Sequence, residues 1–457
     1  MEKVDLVIFG STGDAGRCCC HFLFNQGKLL NIKSWAPAAR NLEKLKKLAS
    51  PAISQTAEVP PNGVRASPAI RADSNDYASM LAMAKQAKVV VACAGPFADY
   101  GESVIKACVE AGAHYVDITG ETPWVNLMAK KYHREAKEKQ LFIVSQAAYD
   151  SVPSDLTIAL AASKLQESGE TIAAAETHHH VEKGAMPTGT MNTVLKTMTA
   201  LRAAFLRTIS FGLLGSSDSK KYKKRDKKLH KNTDQARFVP REAAKASSKA
   251  LLSNMIVPYS SLSGQFTFPG LMASVNTPIV YTTARALGYG GAAFSYRERS
   301  GRNDREFASL YGLLPFAATM TAISIGLPLL IPIFLMCPNM VSNRLKSIVA
   351  SAKTRERALR KLCNGFQPNG LVAVKALASS VSGRTTAEVN MESDYEAGLG
   401  FTALSVVTVA AAIATAEERG VVGKGFETAV MAVGTKELTE WFCKSGVRID
   451  CKVRSKY

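Results

Sequence analysis

Acidic residues are scarce in this chain of 457 residues: 38 Asp and Glu stand against 57 Lys and Arg, a formal net charge of +19. That deficit points to anionic partners, whether nucleic acid, acidic lipid headgroups or phosphorylated ligands. No nucleic-acid module accompanies the basic residues, so nucleic acid is not expected as a partner. Much of the excess is local, in the run Lys220 to Lys228 and around 297–305 and 344–361. The first of these reads as a solvated or disordered loop. Paired cysteines are missing as well. The nine cysteines show no metal-ligand spacing, and Cys18, Cys19 and Cys20 point in different directions on a predicted helix, so they cannot share one ion. We expect no metal, and cysteines that serve as small apolar residues in a reducing compartment. A secretory leader is not expected either, because Glu2 and Asp5 interrupt the start and the apolar run Val4–Phe9 is too short.

With 47% apolar and 21% charged residues the chain reads as globular, and its length suits two or three domains. In the first 150 residues strand and helix patterns alternate. Strands are predicted at 4–9, 34–39, 67–71, 89–93, 114–117 and 141–144, and helices at 15–27, 42–48, 76–85, 102–111 and 124–139. Such alternation implies right-handed βαβ units and a parallel sheet, with ligands at the carboxyl ends of the strands. The first of those ends is the loop Gly10-Ser11-Thr12-Gly13-Asp14-Ala15-Gly16. Glycines there allow a tight turn and let main-chain N–H groups and a helix N-terminus approach a pyrophosphate. The spacing is G-x-x-G-x-x-G, so the position between strand and helix carries the assignment.

The second predicted strand lacks the acidic residue with which an NAD-binding domain usually holds the ribose hydroxyls. It ends instead at Arg40, whose guanidinium suits a 2′-phosphate; the alternative is a surface arginine. NADP(H) is therefore favoured, with NAD(H) as the alternative. Ala94, Gly95 and Pro96 follow the fourth strand, where a Gly-Pro turn brings main chain near the ribose and nicotinamide. Asp117, Glu121, Asp150 and Asp155 follow later strands and read equally as site residues or as structural caps, as does Ser154. Candidate proton donors are Tyr149, Asp150 and Ser151, although no spacing identifies the acid.

Several of these stretches together resemble one family. They are Val7-Ile8-Phe9-Gly10-Ser11-Thr12-Gly13, Ala39-Arg40-Asn41-Leu42-Glu43-Lys44-Leu45, Cys93-Ala94-Gly95-Pro96-Phe97 through Glu102, Val104 to Cys108, Asp117-Ile118-Thr119-Gly120-Glu121, and Tyr149-Asp150-Ser151-Val152-Pro153-Ser154-Asp155-Leu156. In this order they resemble the saccharopine dehydrogenase-like oxidoreductases, the eukaryotic branch found on lipid droplets. The likeness covers the N-terminal third; beyond about residue 200 it lies in layout. It implies a Rossmann domain with an inserted α/β domain and NAD(P)-linked oxidoreductase chemistry, without implying saccharopine as substrate. A bacterial branch resembling a trans-acting enoyl reductase of glycolipid synthesis suggests a lipid-like substrate. Two positions depart from the pattern. Ala39 replaces a glycine, and Ala147-Ala148-Tyr149-Asp150 stands where Ser-Gly-Phe-Asp is usual.

From about residue 165 a second domain is expected. In the predicted strand Glu176 to Val181, three successive histidines alternate faces, so only His178 and His180 can meet one ligand; a structural role is the simpler reading. The segment Pro187 to Thr193 resembles the family's glycine-threonine helix start. No charged residue occurs from 307 to 343, a length sufficient to cross a bilayer, but Gly326, Pro328 and Pro332 break it near the middle. Basic clusters flank both ends, which a single crossing would place on opposite sides, against the positive-inside rule. A hairpin returning to the same face satisfies both and suits a lipid-droplet monolayer; a true span and a buried soluble helix pair are the alternatives. The apolar run 401–413 is expected to be a core helix packing back on the first domain, and the terminal Ser455-Lys456-Tyr457 faintly resembles a peroxisomal address.

The expected architecture is thus α/β. A Rossmann-type doubly wound parallel sheet occupies 1–150, and a second α+β domain for substrate or dimer contacts occupies 151–305 and 362–395. An apolar helical hairpin follows at 306–343, and C-terminal helices at 396–457 return to the Rossmann domain. The expected function is NAD(P)H-dependent oxidation-reduction of a lipid or other hydrophobic small molecule, such as an enoyl reduction. Its setting is the cytosolic face of the endoplasmic reticulum or a lipid droplet, with a peroxisome-related organelle as alternative and a homodimer among the partners. The competing expectation is a non-catalytic membrane or lipid-droplet protein that retains a nucleotide-binding fold.

Overall fold

The computed structural model describes residues 2–47, 58–182, 259–270, 272–289, 294–300 and 370–455, together with 52, 54 and 291. The run 220–228, the segment 187–193, the apolar stretch 306–343 and the last two residues therefore lie outside the described residues.

In the first 144 residues the order is β1 (Val4–Phe9), α1 (Asp14–Gln26), β2 (Trp35–Ala39), α2 (Leu42–Lys47), β3 (Ile70–Arg71), α3 (Tyr77–Ala84), β4 (Ala87–Ala92), α4 (Phe97–Ala111), β5 (His114–Asp117), α5 (Thr122–Glu138) and β6 (Phe142–Val144). The strands are short apolar runs buried on both faces, as a parallel sheet clad by helices requires. All pair in parallel, in the order β6-β5-β4-β1-β2-β3. Helices α3, α4 and α5 share one core with side chains such as Val7, Phe9 and Val90. Helix α1 lies in the core on the opposite side with Leu6, Ile8 and Val89, and there Cys18, Cys19 and Cys20 are all buried as small apolar residues.

Two elements differ from expectation. Helix α4 starts at Phe97, not near 102, because the Glu121 carboxylate accepts hydrogen bonds from the N–H groups of Phe97 (3.0 Å) and Ala98 (2.9 Å). A cap supplied from 24 residues away leaves no local signal at the helix start. The edge strand β3 is only two residues long.

Beyond β6 the chain continues as α6 (Val152–Glu167), β7 (Ile172–Glu182), a small hairpin of β8 (Tyr259–Ser260) and β9 (Gln265–Phe266), β10 (Phe268–Pro269), α7 (Ala273–Leu287) and β11 (Ser295–Ser300). After 370 come β12 (Leu371–Ser380), β13 (Thr385–Ser393), α8 (Thr402–Ala414), β14 (Gly425–Glu427), α9 (Ala429–Val433), α10 (Thr435–Lys444) and β15 (Arg448–Ser455). A second, mixed sheet runs β10-β11-β7-β12-β13-β15. Burial alternates along β12 and β13, so one face of this sheet packs inward, largely against α6.

The C-terminal elements contact both sheets and include strands as well as helices. Strand β14 adds a seventh parallel strand beside β6, and β15 pairs antiparallel with β13 at the edge of the second sheet. Helix α8, with its preceding turn, is long and apolar enough to cross a membrane yet lies buried against α1, β4 and β5. Its polar side chains are satisfied inside the protein: Ser405 Oγ donates to the Ala147 carbonyl (3.0 Å) and Thr408 Oγ1 pairs with Ser445 Oγ (2.6 Å). It is a core helix packed on the first domain.

Candidate functional site

The carboxyl end of β1 turns through Gly10, at φ +89°, into a loop that leads directly to α1. The N–H groups of Gly10 and Ser11 both donate to the Ala38 carbonyl (3.0 and 3.2 Å), which ties the turn to β2. Ser11 is fully buried: its hydroxyl donates to the Ile8 carbonyl (2.6 Å) and accepts from Ala38 N (3.2 Å). Of the seven loop residues Ser11 thus belongs to the scaffold, while Thr12, Gly13, Asp14 and Ala15 form the partly open rim. Helix α1 packs so closely under the turn that a Cβ on Gly16 would collide with the Gly10 carbonyl. The N-cap residue, Gly13, supplies no side-chain hydrogen bond to the first turn. A helix N-terminus without a side-chain cap, reached over glycine, is suited to a phosphate group.

Arg40 is exposed at the end of β2 and makes no ion pair among the described residues. After β4, Ala94 packs against Gly10, Gly95 is exposed and Pro96 occupies the position just before α4. These groups therefore share the carboxyl edge of the sheet with the glycine loop.

The acidic candidates separate by role. Glu121 is the cap of α4 described above. Asp117 Oδ1 accepts from Thr119 N (2.9 Å) and Gln146 N (3.0 Å), tying together the turns after β5 and β6; burial raises its pKa to about 6. Asp155 accepts from Thr283 Oγ1 (2.8 Å), and burial lifts it to about 7. Neither Ser154 nor Asp155 caps α6, whose N-cap is Ser151 without a side-chain cap bond. Asp150 is half-buried, with its carboxyl raised to about 6 by burial.

Tyr149 and Ser151 enter a buried polar network that the sequence pattern did not reveal. The Tyr149 hydroxyl lies 3.2 Å from His179 Nδ1, and His179 Nε2 lies 2.9 Å from Ser154 Oγ. Ser154 Oγ donates to Glu298 Oε2 (3.4 Å), which also accepts from Asn276 Nδ2 (2.6 Å). Asn276 Oδ1 in turn accepts from Ser151 Oγ (3.2 Å). The Tyr149 ring stands edge-on to His179 and to Phe401, with centroids 5.8 and 5.9 Å apart. Burial lowers His179 to about 4 and raises Glu298 to about 7; it also raises Tyr149 well above the ordinary phenol range.

The histidine at this site is the middle one of three, not the pair His178 and His180. His178 faces the other side of the sheet, 3.5 Å from Glu176, where Arg299 and Arg297 also approach that carboxylate. The sequence did hold one clue. In Ser295-Tyr296-Arg297-Glu298-Arg299-Ser300 the period of two sends Tyr296 and Glu298 to one face and the arginines to the other. Taken by composition alone, the stretch is only a basic cluster.

Residues 6–144 match the family model for the saccharopine dehydrogenase NADP binding domain. A lipid droplet localized protein of Caenorhabditis elegans is 37% identical over 158 residues, 35% of this chain and 36% of the relative. A saccharopine dehydrogenase-like oxidoreductase of Mus musculus is 37% identical over 164 residues, 34% of this chain and 36% of the relative. A trans-acting enoyl reductase of Mycobacterium bovis is 31% identical over 157 residues, 34% of this chain and 35% of the relative. The match spans about a third of the length of these relatives. Among solved structures, saccharopine dehydrogenase (L-Glu forming) of Saccharomyces cerevisiae aligns over 98% of this chain and 99% of its own, with TM-score 0.53 and 12% identity, a likeness of fold. The family model favours NADP(H) as cofactor, in accord with Arg40. Over its N-terminal third this chain is therefore similar to the saccharopine dehydrogenase NADP binding domain and to the corresponding part of the saccharopine dehydrogenase-like oxidoreductases.

Proposed function

We propose that the protein is an NADP(H)-dependent oxidoreductase that reduces a lipid-like substrate, such as an enoyl group, at the cytosolic surface of a lipid droplet or the endoplasmic reticulum. The observation that carries the reading is the pairing of two features on one sheet. A glycine turn that leads into a helix N-terminus without a side-chain cap ends β1, and a tyrosine in hydrogen-bonded contact with a buried histidine follows β6. The residues fit the cofactor: the main chain at Thr12 to Gly16 would hold the pyrophosphate, Arg40 the 2′-phosphate, and Ala94 to Pro96 the nicotinamide ribose. When bound, NADPH supplies a hydride, and the protein must then orient substrate, exclude water and deliver a proton. Tyr149 is the proton donor in this reading, with Asp150 beside it.

The topology supports a hairpin for the apolar stretch. Ser300 pairs opposite His179 on one side of β7, and Leu371 pairs opposite Glu182 on the other. Ser300 and Leu371 therefore lie at the same end of one sheet, about 10–15 Å apart by strand spacing, against a hydrocarbon core about 30 Å thick. One crossing at 307–343 would oblige the arginine- and lysine-rich stretch 344–369 to cross back, at a high cost in hydrocarbon. An even number of passes avoids that. The Caenorhabditis elegans relative, named a lipid droplet localized protein, supports the location.

Three measurements test the reading. NADPH should bind the full chain in a fluorescence titration. Long-chain 2-enoyl thioesters or 2-enals in detergent should consume NADPH, with Tyr149→Phe retaining binding and losing turnover. The full chain should float with triacylglycerol droplets, and a chain lacking 309–337 should not. No NADPH binding would sink the enzyme. Binding and flotation without oxidation of any such lipid would leave the non-catalytic lipid-droplet protein as the better account.

A further inference from the structure

A reduction that takes up a hydride also takes up a proton, and Tyr149 has only one to give. The contacts behind it supply the rest of the path. Four polar groups lie in series: Tyr149 Oη, the two ring nitrogens of His179, Ser154 Oγ and Glu298 Oε2, with steps of 3.2, 2.9 and 3.4 Å. Every interior member both donates and accepts, so the series has two polarities. In one, Tyr149 donates to His179 Nδ1, His179 Nε2–H donates to Ser154, and Ser154 donates to the Glu298 carboxylate. In the other, protonated Glu298 donates to Ser154, Ser154 donates to His179 Nε2, His179 Nδ1–H donates to Tyr149, and the phenol proton is free to point at a substrate.

We propose that Glu298 is the proton reservoir of the reaction, and that His179 and Ser154 carry its proton to Tyr149 by exchanging tautomer and hydroxyl orientation. The proposal rests on the reading of Tyr149 as the proton donor. The balance is simple. Tyr149 gives its proton to the substrate, the Nδ1 proton of His179 passes to the phenolate, the Ser154 proton passes to Nε2, and the Glu298 proton passes to Ser154. One O–H bond at Glu298 is broken, one bond from the proton to the substrate is formed, and the chain is left in the first polarity. No step requires a charged imidazole, as suits a ring that burial holds neutral down to about 4.

Several further features fit a carboxyl that cycles. Its side chain is only 2% exposed, and no cation pairs with it among the described residues. Asn276 Nδ2 fixes Oε2 at 2.6 Å whether or not the acid is charged. Among the described residues, the groups facing the series are Asp150 and Ser151 from the loop between β6 and α6, Ser154 from α6, His179 from β7, Asn276 from α7, and the Tyr296 hydroxyl from β11. Burial, with a smaller contribution from the Asp150 charge, favours the protonated form of Glu298, which is raised to about 7. Glu298, Ser154 and His179 all act through Tyr149 and touch no substrate. They are positioning residues, and the mark of the relay is that the histidine tautomer follows a carboxyl 3.9 Å away.

The test is ¹⁵N NMR of the full chain in detergent micelles, with ring nitrogens labelled and His179 assigned by its loss in His179→Gln. Carboxyl protonation is followed in parallel by infrared titration and assigned with Glu298→Gln. The expected result is that His179 passes from the Nε2–H form at high pH towards the Nδ1–H form, with the midpoint of the Glu298 carboxyl band. Ser154→Ala and Glu298→Gln should each abolish that change. A tautomer that is independent of pH, or that still tracks Glu298 in Ser154→Ala, overturns the relay. Coupling that persists in a chain unable to bind NADPH would support the relay and overturn only the functional reading.

Discussion

Replacing Arg40 with alanine isolates cofactor choice from folding. The side chain is exposed at the end of β2 and forms no ion pair among the described residues, so its loss should change stability by no more than about 0.5 kcal/mol. Its hydrogen bonds to a 2′-phosphate are charge-assisted, and such bonds contribute about 1.5–3 kcal/mol each. At about 1.4 kcal/mol per decade, Arg40→Ala should weaken NADPH binding about 10- to 150-fold and leave NADH unchanged. Parallel fluorescence titrations of the two cofactors at fixed ionic strength read the difference directly. Arg71 is the control. It pairs in register with Ala39 on the neighbouring strand, so it adds positive potential at the same edge, but its guanidinium approaches Asp76 (4.0 Å). If the effect were mere long-range attraction, Arg71→Ala would cost as much as Arg40→Ala, and both losses would vanish at high salt. Arg40→Asp should go further and favour NADH, because it repels the phosphate and offers a carboxylate to ribose hydroxyls. An unchanged ratio of NADPH to NADH affinity in Arg40→Ala would refute the assignment.

Three other outcomes follow from the same geometry. Gly16→Ala should abolish cofactor binding and lower Tm, because its Cβ meets the backbone carbonyl of Gly10, which cannot swing aside; a wild-type Tm and NADPH affinity would contradict this packing. Gly270→Ala would place a methyl 2.6 Å from Glu298 Oε1 and push that buried side chain off Asn276, so NADPH binding should survive while turnover and the His179 coupling are lost. Stability should fall as pH rises from about 5 to 8: Asp117 and Asp150 (about 6) and Asp155 and Glu298 (about 7) hold protons in the native state that the unfolded chain releases near 4, and that contribution disappears through the native pKa values. A Tm that rises over this range would contradict the assignment, and Glu298→Gln should flatten the slope.

The Rossmann domain was legible because its signals are local. Apolar runs of four to six residues, a glycine turn between strand and helix, and Arg40 directly after β2 each lie within a few residues of what they specify. Its departures have non-local causes. The start of α4 depends on Glu121, and the seventh strand, β14, arrives from some 280 residues downstream, where Gly425-Phe426-Glu427 is too short to announce itself. The proton path was illegible for the same reason at larger scale. It joins Tyr149, Ser154, His179, Asn276 and Glu298 from separate elements, with Ser154 and Glu298 144 positions apart. Tyr149 and Ser151 could be suspected from their loop, whereas His179 could not be told from its two neighbours until the face of β7 that meets α6 was known.

That face gives the firmest argument that Glu298 differs from an ordinary buried acid. Among the described residues the second sheet buries two glutamates, on opposite sides. Glu176 accepts from Ser260 and has Arg299, Arg297 and His178 within 4.0 Å; although burial alone would raise its pKa, these partners hold it below the usual carboxylate value. That is how a buried charge is stabilised when the role is structural. Glu298 lies on a neighbouring strand at nearly the same depth, yet it is surrounded by neutral donors and by Asp150, and it is driven the other way. If the junction between the two domains needed only to be filled, apolar side chains would fill it at lower cost. Two carboxyls on one sheet, pushed apart in pKa by their surroundings, are the arrangement by which one acid stays charged and the other is kept ready to give up a proton. The neutral one is the acid that reaches Tyr149.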